Sequence, residues 1–325
     1  MKNQGIFLIS IDFELYWGVR DKRSISDYSS NLEGTPCAIE DTLELFQLFG
    51  VHATWATVGF IFFRDQDHLR QNLPEILPHY DDSVRNPYIY ILESDNLDQK
   101  YHFAPQLIDL IQGYVGQEIG THTFSHYYCM EPGQDREAFK ADLEAAIKIA
   151  NQRNLSIHSL VFPRNQWNPD YISLLAELGI TAYRGNESSV LYTARGHERY
   201  SIFMRAGRLL DSYLNLTGYH TYQIAEIASA KPYNIPASRF LRPYSRTLGF
   251  LDNLRLKRIT SAMTHAARNG LLFHLWWHPH NFGINTGKNL VFLEKILQHF
   301  KLLNHEFGMQ TLNMKEVSDL LDSTP

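Results

Sequence analysis

The sequence predicts an α/β fold with a parallel sheet. Short apolar segments rich in β-branched and aromatic residues alternate with amphipathic segments along most of the chain. Gly50 and Gly179 follow two of the amphipathic segments directly, which is typical of helix C-caps. Repeated βα units of this kind place their strands side by side in parallel, in a closed or an open sheet.

The first three elements predict a βαβ unit. Residues 5–11 form an apolar run that indicates a buried strand. Pro36 precedes an amphipathic segment at 38–49, which Gly50 ends, and the β-branched residues at 51–58 predict the next strand.

Later segments repeat the alternation. Residues 134–151 predict a helix because acidic residues lie early and Lys148 lies late, as the helix dipole favours. The other expected elements are strand 159–162, helix 171–178, strand 180–183, strand 271–277, helix 290–303, strand 309–312 and helix 315–321.

Two stretches interrupt this alternation, at about 64–106 and 185–246. Both are rich in proline, yet both keep many tyrosine, phenylalanine and leucine residues, which flexible linkers lack. We interpret them as ordered insertions near the mouth of the sheet, where βα loops build binding sites. The 325 residues are therefore expected to form a single catalytic domain.

Composition excludes several classes of protein. The net charge is −5 and there is no run of Lys and Arg, which argues against binding to nucleic acid. Two cysteines, Cys37 and Cys129, do not make a disulfide framework. The apolar run near the start has about seven residues, too few to span a membrane. We expect a cytoplasmic enzyme without a signal peptide or membrane span.

The residues that indicate chemistry are two histidines and two carboxylates. His122 and His126 are four apart, a spacing that brings two imidazoles to one ion on a helical turn. Asp12 and Glu14 lie at the end of the first strand and face the same side. Each residue alone has an ordinary structural explanation, such as a solvated loop or a capped turn. Together they predict a mononuclear hydrolytic site for a divalent metal, with the general base among the two acids.

The chain resembles the polysaccharide deacetylases, the family-four carbohydrate esterases. The resemblance covers most of the chain and implies a distorted (β/α)7 barrel with ordered loop insertions. It also implies removal of an N-acetyl group from an amino sugar or glycan with zinc, or else Co, Ni, Mn or Fe. The matching segments are Asp12-Phe-Glu14, Ala53-Thr-Trp-Ala-Thr-Val-Gly59, Glu118-Ile-Gly-Thr-His-Thr-Phe-Ser-His126, Leu178-Gly-Ile-Thr-Ala-Tyr-Arg184 and Leu275-Trp-Trp-His278.

The resemblance implies a role for each of these side chains. Asp12 resembles the catalytic base, and Glu14, His122 and His126 resemble the metal ligands. The commoner family pattern has two adjacent aspartates, whereas this chain has the Asp-x-Glu variant, so the opposite division between the two acids stays open. His278 resembles the general acid that protonates the leaving amine.

Three alternatives concern neighbouring residues. His274 and His280 share the strand parity of His278, and only the Leu-x-x-His match distinguishes them. Arg164 follows a proline, whereas the family arginine usually precedes it. It is expected to orient Asp12, to grip substrate, to offer its backbone N–H to an oxyanion, or to be an ordinary surface arginine. Asn165 beside it is a substrate-binding candidate.

Aromatic residues near the motifs are candidates for stacking on the sugar, although aromatics at strand ends more often fill a core. They are Tyr16, Trp17, Trp167, Trp276 and Trp277. We favour Trp17 and Trp167, because each lies beyond a predicted strand, and we also assign Trp277 to substrate binding.

Other functions fit parts of the pattern. A non-haem iron oxygenase also uses two histidines and one carboxylate, but it needs neither Asp12 nor His278. Hydrolysis of another amide or ester on the same fold, or glycan binding without catalysis, are the further alternatives. For a deacetylase inside the cell, we expect a nucleotide-linked or lipid-linked sugar from surface-polysaccharide assembly.

Overall fold

The computed structural model describes residues 4–196 and 202–323. Nine strands form one sheet in which every pairing between strands is parallel. The strands are β1 (Ile6–Phe13), β2 (Ala53–Thr57), β3 (Gln117–Thr121), β4 (Ser159–Val161), β5 (Ala182–Arg184), β6 (Tyr233–Asn234), β7 (Arg239–Phe240), β8 (Leu272–Trp277) and β9 (Gln310–Thr311). The expected parallel α/β fold is confirmed.

The sheet is curled, and its ends are joined through the chain. Its order is β6-β5-β4-β3-β2-β1-β8-β7, with β9 beside β1. Only residues 235–238 separate β6 from β7, which lie at opposite ends of this order. In that crossing the Ala237 N–H donates to the carbonyl of Gly185 at 2.9 Å, and the next N–H, of Ser238, donates to His274 on β8 at 2.8 Å. One short segment therefore bridges the two ends of the sheet.

Thirteen α-helices occur in the described residues, and the longer ones cover the sheet. They are α1 (Ile25–Glu33), α2 (Thr35–Phe49), α3 (Gln66–Arg70), α4 (Pro87–Glu93), α5 (Gln99–His102), α6 (Pro105–Gln112), α7 (Arg136–Asn151), α8 (Ile172–Glu177), α9 (Ile202–Asp211), α10 (Ile224–Ile227), α11 (Asp252–Asn269), α12 (Thr286–Phe307) and α13 (Met314–Asp322). None of the described helices is long and apolar enough to cross a membrane.

Local signals explain the main helix boundaries. Gly50 has φ +58°, a left-handed conformation that ends α2 where the sequence predicted. Asp135 caps α7 by accepting a hydrogen bond from the Ala138 N–H at 2.8 Å. Helix α12 extends several residues beyond both ends of the predicted 290–303, and it ends at Gly308, whose φ is +69°.

The two interrupting stretches differ in structure. The first, 64–106, contains helices α3 to α5 and the start of α6. The second, 185–246, contains α9 and α10, but it also supplies β6 and β7 to the main sheet, so it is only partly an insertion. The sequence did not indicate these strands because each has only two residues. Residues 197–201 of this stretch lie outside the described residues.

A close contact holds the segment after β8 against α1. A Cβ on Gly283 would lie 1.9 Å from the backbone oxygen of Asn31, so this position has no room for a side chain. The Asn31 side chain also donates to the carbonyl of His280 at 3.0 Å. The contact fixes the chain that follows the carboxyl end of β8.

Gly283→Ala should lower the free energy of unfolding by about 1–3 kcal/mol, because the added methyl forces α1 and this segment apart. Gly287→Ala is the matched control, since a Cβ there meets nothing within 4 Å. It should be neutral or stabilising by up to about 1 kcal/mol. Urea unfolding of both variants measures the difference, and equal stabilities would contradict the close packing.

Candidate active site

Polar side chains meet at the carboxyl edge of the sheet. Asp12 lies near the end of β1 and Glu14 directly follows that strand, while His122 follows β3 and His278 follows β8. Arg184 is the last residue of β5. Because the strands are parallel, their carboxyl ends lie at one edge, and the structure brings these side chains together there.

The two histidines of the His122–His126 segment do not lie on a helical turn, so that expectation was wrong. Thr123 has φ +64° and His126 has φ +62°, and the segment is a loop. The Thr123 hydroxyl accepts from the Tyr127 N–H at 2.7 Å. The ring centres of the two histidines are 5.0 Å apart. A tight loop, rather than a helix, therefore produces the convergence that the spacing predicted.

The carboxylate of Asp142 on α7 anchors this loop through hydrogen bonds. One carboxylate oxygen accepts from the N–H of Phe124 at 2.7 Å, and the other accepts from the Tyr88 hydroxyl at 2.8 Å. The Ser125 hydroxyl donates to the same carboxylate. Asp142 is fully buried, and this burial raises the pKa of its carboxyl to about 6 although these hydrogen bonds lower it.

Glu14 faces the two histidines through one oxygen. Its Oε2 lies 3.3 Å from Nε2 of His122 and 3.0 Å from Nε2 of His126. Nδ1 of His122 lies 2.7 Å from the carbonyl oxygen of Val161, which can only accept, so Nδ1 carries the proton of the neutral ring. Nε2 then presents a lone pair and has no hydrogen-bond donor among the described residues. This is the tautomer that a metal-binding histidine requires.

The other oxygen of Glu14 faces a second pair of histidines. Its Oε1 lies 3.6 Å from Nε2 of His278 and 3.7 Å from Nε2 of His280. Nδ1 of His278 accepts from the Asn281 amide at 3.1 Å, which leaves the proton of the neutral ring on Nε2. That N–H points towards the two carboxylates, because Oδ2 of Asp12 is 3.7 Å away. With 22% of its side chain exposed, His278 is the most accessible member of the group.

The structure distinguishes the three candidate histidines near β8. Nε2 of His274 lies 2.8 Å from the Ser10 hydroxyl, deeper in the sheet than the carboxylates. His280 is buried, and its ring stacks on His278 with centres 5.2 Å apart. Only His278 is near both acids and open to solvent, which supports its assignment as the general acid.

Arg184 is the arginine that orients Asp12, so Arg164 does not have that role. Nη1 and Nη2 of Arg184 each donate to one oxygen of Asp12 at 2.7 Å. Nη2 also donates to the Asn165 side chain at 2.9 Å. This two-point pairing fixes the plane of the Asp12 carboxylate.

Arg164 instead makes an ion pair with Asp21 and lies over the Tyr128 ring, 4.3 Å from its centre. Its φ is +55°, in a tight turn after β4. The predictions that Arg164 grips substrate, or offers its backbone N–H to an oxyanion, stay predictions. So does the assignment of Asn165 to substrate.

Electrostatics keep both acids charged and keep the imidazoles of His126 and His280 neutral. Burial raises the pKa of Asp12, but the adjacent Arg184 charge and the neighbouring histidines outweigh burial, and the net pKa is lowered. Burial likewise raises the pKa of Glu14, and the histidines around it lower the pKa well below its usual range. Burial lowers the pKa of His126 to about 4 and that of His280 to about 3. Neutral imidazoles beside a carboxylate are suitable ligands for a divalent cation.

The aromatic predictions are partly wrong. Trp17 is 1% exposed, and its ring N–H donates to the carbonyl of His102, so it belongs to the core. Trp277 is also 1% exposed and stacks on Phe282 in the core. Both residues point into the layer between sheet and helices, where aromatic surface is buried. Trp167 is half-buried beside Tyr183, and its contact with substrate stays a prediction.

Sequence reasoning missed two residues that position the site. Arg184 ends an apolar run at the same sheet edge as Asp12, and a charge in that position was an available signal. Asp142 gave no signal, because an aspartate within an amphipathic helix is ordinary, and only the tertiary structure brings it under the His122–His126 loop.

Comparison with known proteins shows the fold. No protein-family model and no curated protein matches the sequence. A solved structure described as a "putative polysaccharide deacetylase" from Mycobacterium smegmatis is 14% identical, with TM-score 0.60 over 100% of this chain and 93% of that chain. Puue allantoinase is 12% identical, with TM-score 0.58 over 98% and 90% of the two chains.

A third solved structure, the 4-alpha-glucanotransferase from Thermococcus litoralis, is 11% identical, with TM-score 0.51 over 98% of this chain and 40% of that chain. These likenesses confirm the fold expected from the sequence. The three matched proteins are named for different reactions, so the function of this chain must be argued from its site.

The raised pKa of Asp142 predicts a pH-dependent stability. The folded pKa lies above the unfolded one, so this carboxyl contributes stability below about pH 4 that is lost as pH rises through about 6. Asp142→Asn keeps the size of the side chain and removes the titration. Its free energy of unfolding relative to the parent should increase from pH 5 to pH 7.5, by about 1.4 kcal/mol.

Urea unfolding of the metal-free proteins at both pH values measures this change. Asp95→Asn, the same substitution at an exposed position, is the control and should show no such increase. If the difference between Asp142→Asn and the parent is the same at both pH values, the buried carboxyl does not titrate in this range.

Proposed function

We propose that the protein is a metal-dependent hydrolase that removes an acetyl group from the nitrogen of an amino sugar. The observation that carries the proposal is the convergence of two histidine Nε2 atoms on one oxygen of Glu14, with Asp12 and His278 beside them. The fold likeness to a structure named as a polysaccharide deacetylase supports it.

Glu14, His122 and His126 would hold the metal. Their ligand atoms lie within 4.8 Å of one another, and all three residues are buried. Two imidazoles and one carboxylate suit zinc, and Co, Ni, Mn and Fe accept the same donors. The bound ion would supply Lewis acidity to a water molecule and to the acyl oxygen.

Asp12 serves as the general base. Arg184 donates hydrogen bonds to both oxygens of Asp12 and keeps the carboxylate ionised at neutral pH. The carboxylate is therefore ready to take a proton from the attacking water. The two-point pairing also fixes the orientation of the carboxylate. This division of roles makes Asp12 the proton acceptor and Glu14 the ligand.

His278 serves as the general acid. Its Nε2 lies 3.7 Å from Oδ2 of Asp12 and 3.6 Å from Oε1 of Glu14, and its exposure allows substrate to reach it. When the carbon–nitrogen bond of the amide breaks, the nitrogen must gain a proton to leave as an amine. The imidazolium of His278 donates that proton, and the products are acetate and the free amino sugar.

Acetate release tests the proposed function. The metal-loaded protein should release acetate from N-acetylated amino sugars in a screen of free, oligomeric, nucleotide-linked and lipid-linked forms. Asp12→Asn should reduce the rate by about 10²–10⁴-fold, the usual share of a general base. Allantoin is included because of the allantoinase likeness. Turnover of allantoin alone, or of none of these compounds, would overturn the proposal.

Metal content separates the roles of Asp12 and Glu14. Asp12→Asn should keep the metal and lose activity at every metal concentration, because added metal does not replace a base. Glu14→Gln should first weaken metal binding and should recover part of its activity at high metal, since an amide oxygen still coordinates a cation. Elemental analysis and rates across a metal titration give the answer. Rescue of Asp12→Asn but not of Glu14→Gln would reverse the assignment.

A further inference from the structure

A cavity lined by four arginines lies beside the general acid. Its volume is about 150 Å³, and we call it the arginine cavity, after Arg164, Arg208, Arg239 and Arg242. Trp276 and Phe240 also line it. Their ring centres lie 5.6 Å and 5.7 Å from the centre of the His278 ring. A group in this cavity is therefore adjacent to the place where the leaving nitrogen is protonated.

Among the described residues, fewer carboxylates than arginines surround the cavity. Asp21 pairs with Arg164, and Asp211 is shared between Arg239 and the neighbouring Arg258, at 2.5 Å and 3.5 Å. Arg242 has no carboxylate within ion-pair distance among the described residues. Glu187 is the one acidic side chain among the described residues that line the cavity. Within the described part of the chain, arginines therefore outnumber carboxylates around the cavity.

Several guanidinium nitrogens around the cavity lack acceptors. Arg239 is 3% exposed, and its Nε and Nη2 have no hydrogen-bond partner within the described part of the chain. Nη1 of Arg164 is also buried and also has no hydrogen-bond partner among the described residues. Buried N–H groups without acceptors are costly, more so when they are charged. These nitrogens are closed off from solvent, and their charge adds to the positive potential inside the cavity.

The surroundings of Arg242 point in the same direction. Burial lowers the pKa of its guanidinium, and the charges of Arg208 and Arg239 oppose its protonation further. The centre of the Phe240 ring lies 5.9 Å from Cζ of Arg242. Positive groups crowded in this way are stabilised when an anion binds between them.

We propose that the arginine cavity binds an oxyanion of the substrate, a phosphate or a carboxylate, close to the amide that is hydrolysed. The substrate is then a charged amino sugar rather than a neutral one. The inference rests on the proposed function for the identity of the reaction, while the anion site itself rests on the cavity alone. Guanidinium groups bind such oxyanions through paired N–H donors, which is the geometry that phosphates and carboxylates accept.

The first experiment is independent of activity. Calorimetric titration of the full-length protein with inorganic phosphate, and separately with acetate, measures anion binding. Arg242→Gln and Arg208→Gln should each weaken binding of the preferred anion by about tenfold, the effect of losing one charge-assisted contact. Arg268→Gln, which removes the same charge from an exposed position at the end of α11, should bind as the parent does. Thermal unfolding confirms that each variant is folded.

The second experiment uses turnover. The ratio of kcat/KM for N-acetylglucosamine 1-phosphate to that for N-acetylglucosamine should exceed one in the parent, and an N-acetylated amino-uronic acid tests the carboxylate. Arg242→Gln should reduce the preference for the charged sugar about tenfold, and Arg268→Gln should leave it unchanged.

The outcomes separate the two proposals. If no acyl group is released from any sugar but phosphate or acetate still binds in an Arg242-dependent way, the proposed function fails and the anion site stands. If sugars are deacetylated without preference for charge and neither anion binds, the proposed function stands and the anion site is overturned. Anion binding that is equal in Arg242→Gln, Arg208→Gln and Arg268→Gln overturns the inference.

Discussion

The buried carboxylate of Glu14 is the constraint on which the site depends. Its two oxygens face four imidazoles, two from the loop after β3 and two from the segment after β8, at 3.0–3.7 Å. Neither Lys nor Arg lies within ion-pair distance of it in the described part of the chain. A charge buried in this way needs compensation from a proton or a cation. The hydrogen bond from His122 to Val161 directs a lone pair at Glu14 and so favours the cation.

Two arginine–aspartate pairs lie at this edge of the sheet, in different parts of the fold. Arg184 with Asp12 belongs to the sheet, and its rigidity is set by β1 and β5. Arg164 with Asp21 belongs to loops and borders the arginine cavity. Most of the cavity is built by 185–246, the stretch that interrupts the regular βα alternation. Asp12, Glu14, His122 and Arg184 thus come from the regular strands and their ends, while the irregular stretch lines most of the cavity that we propose binds an anion.

The sequence predicted the fold and the grouping of the main polar residues, because both follow from strand ends in a parallel sheet. Other features depend on tertiary contacts. His122 and His126 converge through left-handed residues that no spacing rule indicates. Trp17 and Trp277 fill the core because the helices covering the sheet lie over them. Orienting Asp12 was one of the roles expected of Arg164, which follows β4, but the partner is Arg184, the last residue of β5. Both arginines lie near the carboxyl ends of strands, and only the structure shows which one faces Asp12.

The crossing at residues 235–238 closes the curled sheet into a ring. Elsewhere in the sheet, neighbouring strands are joined by ladders of hydrogen bonds, but here the ring is completed by the covalent chain, which bonds to Gly185 on one side and His274 on the other. The circumference of the ring at this point is therefore set by the number of residues in one loop. Lengthening that loop would widen the gap between β6 and β7, next to the arginine cavity. Strands β1, β2 and β3 would still hold Asp12, Glu14 and His122 in place. Under the proposed function, the length of this loop would set the size of the ligand without displacing Asp12, Glu14 or His122.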